Sequence, residues 1–292
     1  LRRALAGRAN LTVHEINFTT LPEYLSTIPS DALVIVAGGD GTFSAVLGSP
    51  HMKGREVACI PLGTANDLAR EFSITRYLAG ARYEHYPHLI RELPFEPCSV
   101  WTLHVDGSEV PFVNYVAIGY EGAVVRDFAA WRARIPCRGR LANRIAYTTF
   151  GLQHAWTLYK NLSLSDLSGA VRQCPPTTGI IITNIKSHLG MALSNTKSNP
   201  GDELIESVSV STIFGFARMI AAGIGLPIAP SPLLRSNRIS IENIPANIPL
   251  QIDGESAPEV TDGKLHVTFR HFVQIASAKG AQPNRSLSSD AR

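Results

Sequence analysis

Three short turns in this chain set a carboxylate among glycines: Gly38-Gly39-Asp40-Gly41-Thr42, Pro61-Leu62-Gly63-Thr64-Ala65-Asn66-Asp67 and Ile252-Asp253-Gly254-Glu255. Glycine has no Cβ, so its backbone N–H can approach an anion closely, and a helix that follows adds unpaired N–H groups and a positive dipole end. Asp40 or Asp67 alone would repel a phosphate. Either makes sense if Mg²⁺ lies between, because that ion keeps several waters and takes one or two carboxylates together with phosphate oxygens. A single glycine turn is an ordinary strand-to-helix connection; two of them between Leu33 and Arg70 favour phosphate binding. In the third turn an Asp-Gly step between strands is by itself a hairpin. With Glu255 beside it, the turn has two carboxylates, which could hold a metal-bound water and accept a proton from an attacking hydroxyl.

Two β-branched runs, Leu33-Val34-Ile35-Val36 and Val57-Ala58-Cys59-Ile60, precede the first two turns. Helically spaced apolar residues follow each, Phe43, Val46 and Leu47, then Leu68, Ala69 and Phe72. Neighbouring strand ends then point both turns at one crevice, where open α/β sheets bind ligands. The expected fold is a Rossmann-like α/β domain over residues 1–95 that lacks its first strand, a β-rich domain over 96–278 and a polar tail over 279–292. The pattern predicts a helix tail over 1–11, a strand from Leu11 to Phe18 and a short helix from Leu21 to Ile28. Beyond Pro94 and Pro97, alternation from Val100 to Val105, the hairpin signal Asp106-Gly107 and a second alternating run from Val110 to Ile118 predict antiparallel sheet. Helices are expected over Gly139–Lys160 and Phe214–Gly225, and Ser187 to Asp202 reads as a loop. Further strands are expected at Gly179–Ile185, Leu204–Val210, Arg238–Ile244, Leu250–Ile252 and Lys264–Phe269.

At 292 residues, with 45% hydrophobic and 17% charged side chains, the chain is expected to be globular, and no run approaches the roughly 20 apolar residues of a membrane span. Cys59, Cys98, Cys137 and Cys174 are scattered without zinc-finger spacing, which points to a reduced, cytoplasmic compartment. Tyr83, His85, Tyr86 and His88 crowd together without ligand spacing, so a surface helix and loop is expected there and not a metal site. A net charge of +3 is too small to imply nucleic acid as a partner. Its distribution is uneven: Arg126, Arg132, Arg134, Arg138, Arg140 and Arg144 are interleaved with Trp131, Ile135 and Leu141. That segment reads either as a solvated helix and loop or as a patch making peripheral contact with anionic lipid headgroups.

The two glycine turns resemble the catalytic region of diacylglycerol kinases, in a larger group that includes sphingosine kinases and, more remotely, NAD kinases. The Pro-Leu-Gly-Thr-x-Asn-Asp form of Pro61 to Asp67 is typical of the lipid branch. Further matches follow in the family's order: Asn114-Tyr115-Val116-Ala117-Ile118-Gly119-Tyr120-Glu121-Gly122, Arg140-Leu141-Ala142-Asn143-Arg144-Ile145-Ala146-Tyr147 with Phe150-Gly151, Thr183-Asn184-Ile185-Lys186-Ser187, and Gln251-Ile252-Asp253-Gly254-Glu255. The resemblance implies an ATP-dependent kinase with an NAD kinase-like nucleotide domain and a β-sandwich second domain joined by a cleft. Its acceptor would be diacylglycerol at a membrane surface and its product phosphatidic acid. Ala65 stands where the family usually has glycine, and the family's Asn-Pro-x-x-Gly first strand has no counterpart in these residues.

On this resemblance, backbone N–H groups of Gly38, Gly39, Gly41, Gly63 and Thr64, with the hydroxyls of Thr42 and Thr64, are expected to hold the ATP phosphates. Asp40, Asp67 and Glu255 are expected to hold Mg²⁺, mainly through water. Asp253 is the candidate general base, and Asp40 is the other aspartate that could serve. Asn66 could contact nucleotide or cap the helix that begins at Asp67; Asn114 and Asn184 could serve substrate or satisfy loop backbone. Competing readings are another acceptor (a long-chain base, ceramide or NAD) and a non-catalytic protein that binds nucleotide or lipid.

Overall fold

The structure, a computed structural model, describes residues 11–15, 17–135, 140–188, 191–192, 197–210 and 233–281. Helix α1 (Leu21–Thr27) leads into two parallel strands, β1 (Val34–Gly38) and β2 (Glu56–Pro61), paired with Val34 opposite Val57 and Gly38 opposite Pro61. Both glycine turns therefore emerge at one edge. Helix α2 (Asp40–Leu47) follows the first turn and α3 (Asp67–Glu71) the second, with α4 (Ile74–Tyr77) and α5 (Tyr86–Arg91) completing this layer. Phe43 and Leu47, one turn apart on α2, meet Ile60, Leu68 and Phe72 in a core closed to solvent.

Next come β3 (Phe95–Val105) and β4 (Ser108–Phe112), joined by Asp106 and Gly107 at φ 48° and 74°, the left-handed pair that a two-residue hairpin turn requires. β5 (Tyr115–Gly119) is followed by two long helices, α6 (Tyr120–Arg134) and α7 (Arg140–His154). The remaining strands are β6 (Ser163–Ser165), β7 (Val171–Gln173), β8 (Gly179–Thr183), β9 (Ser187–His188), β10 (Met191–Ala192), β11 (Ile205–Val210), β12 (Leu234–Ser236), β13 (Arg238–Glu242), β14 (Ile248–Ile252), β15 (Glu255–Val260) and β16 (Lys264–Ala276).

One large sheet runs β1-β2-β16-β13-β6-β7, with β3 on β16 and β4 on β3; a second is antiparallel in the order β12-β11-β8-β5-β14-β15, and β9 and β10 pair as a small third. Trp101, Leu103, Phe112 and Val267 of the first face Val116, Ile118, Ile182 and Leu250 of the second, so the expected β-sandwich is present beside the α/β layer. β16 joins them. Its beginning pairs with β13 in the sandwich, and its end lies parallel to β2 through Gln274 and Ile275.

Several expectations change. The run from Val110 to Ile118 is not one strand: Phe112 pairs with Trp101 in one sheet and Tyr115 with Thr183 in the other, and alternation cannot register a change of partner. The run at Lys264 continues to Ala276 because a bulge between Phe269 and His271 resets its phase. No strand forms at Leu11 to Phe18 among the described residues, where Leu11 is half-buried and the others are exposed, so the alternation has no buried face. α7 ends at His154, short of Lys160, because the Tyr159 N–H pairs with the Thr177 carbonyl at the sheet edge. Ser187 and His188 form a two-residue strand in the expected loop, and β15 was not foreseen. The expected helix over Phe214–Gly225, the helix tail over 1–10, Cys137 and the tail beyond residue 281 lie outside the described residues. Among the described residues no helix is long and apolar enough to cross a membrane.

Helix α6 lies directly on β14. A Cβ on Gly122 would stand 2.4 Å from the Pro249 carbonyl oxygen and 2.7 Å from the Leu250 nitrogen, backbone atoms that cannot swing aside. Gly122→Ala is expected to cost about 1–3 kcal/mol by overpacking, read as a lower urea midpoint at unchanged slope. An unchanged midpoint would contradict this contact.

Candidate active site

Asp40 is the first residue of α2, yet its carboxylate serves the other turn. Its Oδ1 accepts the Leu68 N–H at 3.1 Å, and the Asp67 N–H also donates to it. These are first-turn donors of α3, a helix whose own N-cap residue, Asn66, makes no capping bond. Asp40 thus caps α3 from a distance.

Asp67 is fully buried and accepts hydrogen bonds from the hydroxyls of Tyr115 at 3.1 Å and Ser187 at 2.6 Å. Asp253 begins the β14–β15 turn in the left-handed region, at φ 49°. Its Oδ1 accepts the N–H groups of Asn114 and Tyr115, both at 2.9 Å, and its Oδ2 accepts the Val113 N–H at 3.1 Å and the Ser44 hydroxyl. Asn114 and Tyr115 reach all three aspartates. Their backbone N–H groups hold Asp253, while the Asn114 Nδ2 donates to Asp40 at 3.0 Å and the Tyr115 hydroxyl to Asp67. The three acidic turns converge.

The glycine turns touch each other. A Cβ on Gly63 would lie 2.6 Å from the Gly39 Cα, and one on Gly38 would meet the Thr42 side chain at 2.6–2.8 Å. A Cβ on Gly39, whose φ is −101°, would lie 3.2 Å from the Gly63 Cα, so the approach is tight from both sides and closest at Gly63. A Cβ on Gly41 would sit 3.5 Å from the Cγ of the exposed Glu255, which therefore overhangs the first turn. Gly63 and Thr64 are exposed at the second turn and Thr42 is half-buried.

Two expectations are corrected here. Asn66 does not cap α3: it is buried and adopts φ 53°, its Oδ1 accepts the Gly63 N–H at 2.8 Å, and its Nδ2 donates to the Gly63 carbonyl at 2.8 Å. The Gly63 N–H is therefore spent inside the turn and is not an anion donor. Ala65 is not among the residues with positive φ, so its backbone does not call for glycine. Asn184 likewise satisfies backbone, its Nδ2 donating to the carbonyls of Ser99 and Val113.

Burial pushes the Asp40 carboxyl up, and the nearby Asp67 charge adds to the rise against the opposing hydrogen bonds. Burial likewise pushes Asp253 up to about 6, despite the Ser44 hydroxyl and three N–H groups that favour its charged form. Tyr115 is held well above its usual value, first by burial and then by Asp67. Behind Tyr115 its ring lies 4.2 Å from that of buried His188, whose Nε2 pairs with Glu121 at 2.8 Å; Glu121 also accepts from Gln251. Burial disfavours the imidazolium, but the Glu121 and Asp67 charges outweigh it and hold His188 above its ordinary value.

The donor set suits a magnesium-bound phosphate. Asp40 and Glu255 are hard oxygen donors beside the first turn, the repulsion between Asp40 and Asp67 is relieved by a cation, and the buried Asn114 Oδ1 has no protein partner. Among the described residues no group of three His, Cys, Asp or Glu side chains is placed to hold a metal directly. Sequence reasoning missed Ser44, Tyr115 and Ser187 as partners of the aspartates. Their hydroxyls carry no local signal; only the match around Asn114-Tyr115 could have drawn attention to that strand.

A parallel α/β layer with two touching glycine turns, closed by a carboxylate turn from a β-sandwich, defines a two-lobed fold with its acidic turns at the junction. The chain belongs to the diacylglycerol kinase family: the pattern described as diacylglycerol kinase catalytic domain matches residues 8–89, and that described as diacylglycerol kinase accessory domain matches residues 111–256. Diacylglycerol kinase theta of Homo sapiens is 29% identical over 264 residues, covering 76% of this chain. The eye-specific diacylglycerol kinase of Drosophila melanogaster is 28% identical over 266 residues, again 76% of the chain. The chain spans only 27% and 17% of the length of these two relatives. A crystal structure of a diacylglycerol kinase from Bacillus anthracis superposes with a TM-score of 0.61 over 91% of this chain and 83% of that one, at 18% identity, a likeness of fold.

Two outcomes follow from the buried carboxylates. Tyr115→Phe removes one donor from Asp67 and is expected to cost about 1–3 kcal/mol, measured by urea denaturation; no loss would mean that the bond does not hold the lobes. Asp253, raised to about 6, binds its proton more tightly folded than unfolded, so its contribution to stability falls as pH rises from the ordinary aspartate range near 4 to about 6. The difference in unfolding free energy between wild type and Asp253→Asn is expected to shrink by roughly 2–3 kcal/mol across that window. A flat difference would contradict the raised value.

Proposed function

We propose that this chain is a lipid kinase that transfers the γ-phosphoryl group of ATP to the free hydroxyl of a diacylglycerol, giving phosphatidic acid. The observation that carries this reading is the convergence of Asp40, Asp67 and Asp253 on the two glycine turns through Asn114 and Tyr115. Family membership across both halves of the chain supports it. In this reading residues 1–95 serve the nucleotide and 96–278 the acceptor.

When bound, ATP supplies the phosphoryl group and Mg²⁺ neutralises charge that develops on its oxygens. The chain contributes positioning. The N–H groups that open α2, those of Asp40 and Gly41, have no carbonyl partner within the helix and suit phosphate oxygens, with Gly38, Gly39, Thr42 and Thr64 bordering the same cradle. Asp40 and Glu255 would hold hydrated Mg²⁺, with Asp67 buried behind them on the hydroxyls of Tyr115 and Ser187. Asp253 accepts the acceptor hydroxyl's proton. Its four hydrogen-bonding positions are filled, so the Ser44 hydroxyl, the one donor able to rotate, turns to accept from the protonated Oδ2. Asp40, with two N–H donors and Asn114 on it, is the second candidate base.

Labelled ATP with Mg²⁺ and a panel of diacylglycerol, sphingoid base, ceramide and NAD tests the acceptor, and labelled phosphatidic acid is the expected product. Label in NAD alone, or in none, would overturn the reading. For the base, kcat/KM is expected to rise with pH through about 6 as Asp253 ionises. Ser44→Ala removes a bond that lowers this value, so the acid limb should move to higher pH. Asp253→Asn should cut turnover by about 10²–10⁴-fold. An acid limb that survives in that variant and vanishes in Asp40→Asn would assign the proton to Asp40.

A further inference from the structure

The net charge of +3 conceals a strong asymmetry. From Phe128 to Ser165 there is no Asp or Glu, while Arg132, Arg134, Arg138, Arg140, Arg144 and Lys160 give the stretch +6, leaving −3 for the rest of the chain. The same stretch holds five of the eleven large apolar side chains exposed among the described residues: Ile135, Ile145, Leu152, Trp156 and Leu158.

Their arrangement is not random. Ile145 and Leu152, seven residues apart on α7, share a face, and Trp156 continues the line just past the helix end. They are 58%, 58% and 76% exposed. The opposite face of α7 is committed to α6: Ala146 is buried, as is Ala155 just past the helix end, a Cβ on Gly151 would lie 2.9 Å from the Tyr120 hydroxyl, and Tyr147 meets Phe128 edge-on at 5.4 Å. At the far end of α6 Arg134 is exposed, and the Arg132 guanidinium lies over the Phe128 ring. The root of α6 is Glu121, which reaches Gln251 and His188 beside Tyr115, so this helical pair grows out of the wall of the site.

We propose that the outer face of α7 docks on an anionic phospholipid bilayer. The inference rests on the lipid-kinase reading for its purpose, since an acceptor with two acyl chains is met at a membrane, but its evidence is independent of catalysis. A basic segment attracts the negative surface, and the exposed Ile, Leu and Trp gain by leaving water at the headgroup boundary, the indole suiting that depth. A nucleic acid would use the charge and leave the aliphatic stripe in water.

The test is flotation of the full chain with phosphatidylcholine vesicles, with and without phosphatidylserine. Wild type is expected to float with the phosphatidylserine vesicles and to be released by salt. The doubly substituted Leu152→Ser, Trp156→Ala chain should partition about tenfold less, and Arg134→Glu should weaken binding most at low salt. Both variants should keep the wild-type melting curve and the wild-type kcat/KM on a short-chain diacylglycerol in detergent micelles. Lost flotation with no phosphorylation even by wild type leaves the docking face standing and removes the kinase reading. Equal flotation of variant and wild type, no dependence on phosphatidylserine, or a wild-type dimer that the double substitution dissolves would overturn the proposal, the last by making the face a contact between two copies.

Discussion

Backbone N–H groups cannot be buried unpaired, and the whole arrangement depends on how one set of them is satisfied. Where the chain leaves β4 for β5 it changes sheets, and the consecutive N–H groups of Val113, Asn114 and Tyr115 all converge on the carboxylate of Asp253. Four donors, counting Ser44 from α2, fill the carboxylate. One side chain thereby pins the β14–β15 turn, the crossing between the sheets and the first glycine-turn helix to one another. The side chains projecting from the same crossing then reach the other two aspartates.

The electrostatic consequence is a site that is costly to build. Asp40 and Asp253 are both driven upward by burial, and Asp40 further by Asp67, although each carboxylate is surrounded by donors. Hydrogen bonds offset the loss of water without cancelling it. Burial that disfavours the charged form in this way makes each of these two carboxylates gain when a proton or a cation arrives. On the other side of Tyr115, Glu121 is paired with His188 and Gln251.

The two lobes do not hang on a linker. β16 begins in the sandwich opposite β13 and ends in the α/β layer beside β2, while β3 follows it along nearly its whole length. Glu71 of α3 accepts the Lys186 N–H, and Ser187 reaches Asp67, so the segment after β8 is tied to the second glycine turn as well. A continuous sheet and these side-chain ties hold the acidic turns in register.

Much of this was legible in the residues. Short-range periodicity determines strands and helices, and the chain by itself specified the two β-turn-helix units, the Asp106-Gly107 hairpin, most of the sandwich strands and the three acidic turns. Periodicity fails where a strand bulges or changes partner, which is why Lys264–Ala276 and the crossing at Val113-Asn114 were misread. Only the tertiary structure decided what the polar groups do. Asp40 caps a helix it does not belong to, Asn66 folds back on Gly63, and Ser44, Asn114, Tyr115 and Ser187 share out the aspartates. The contacts among the aspartates join segments as much as two hundred residues apart, and no local pattern encodes a partner that only folding brings within reach.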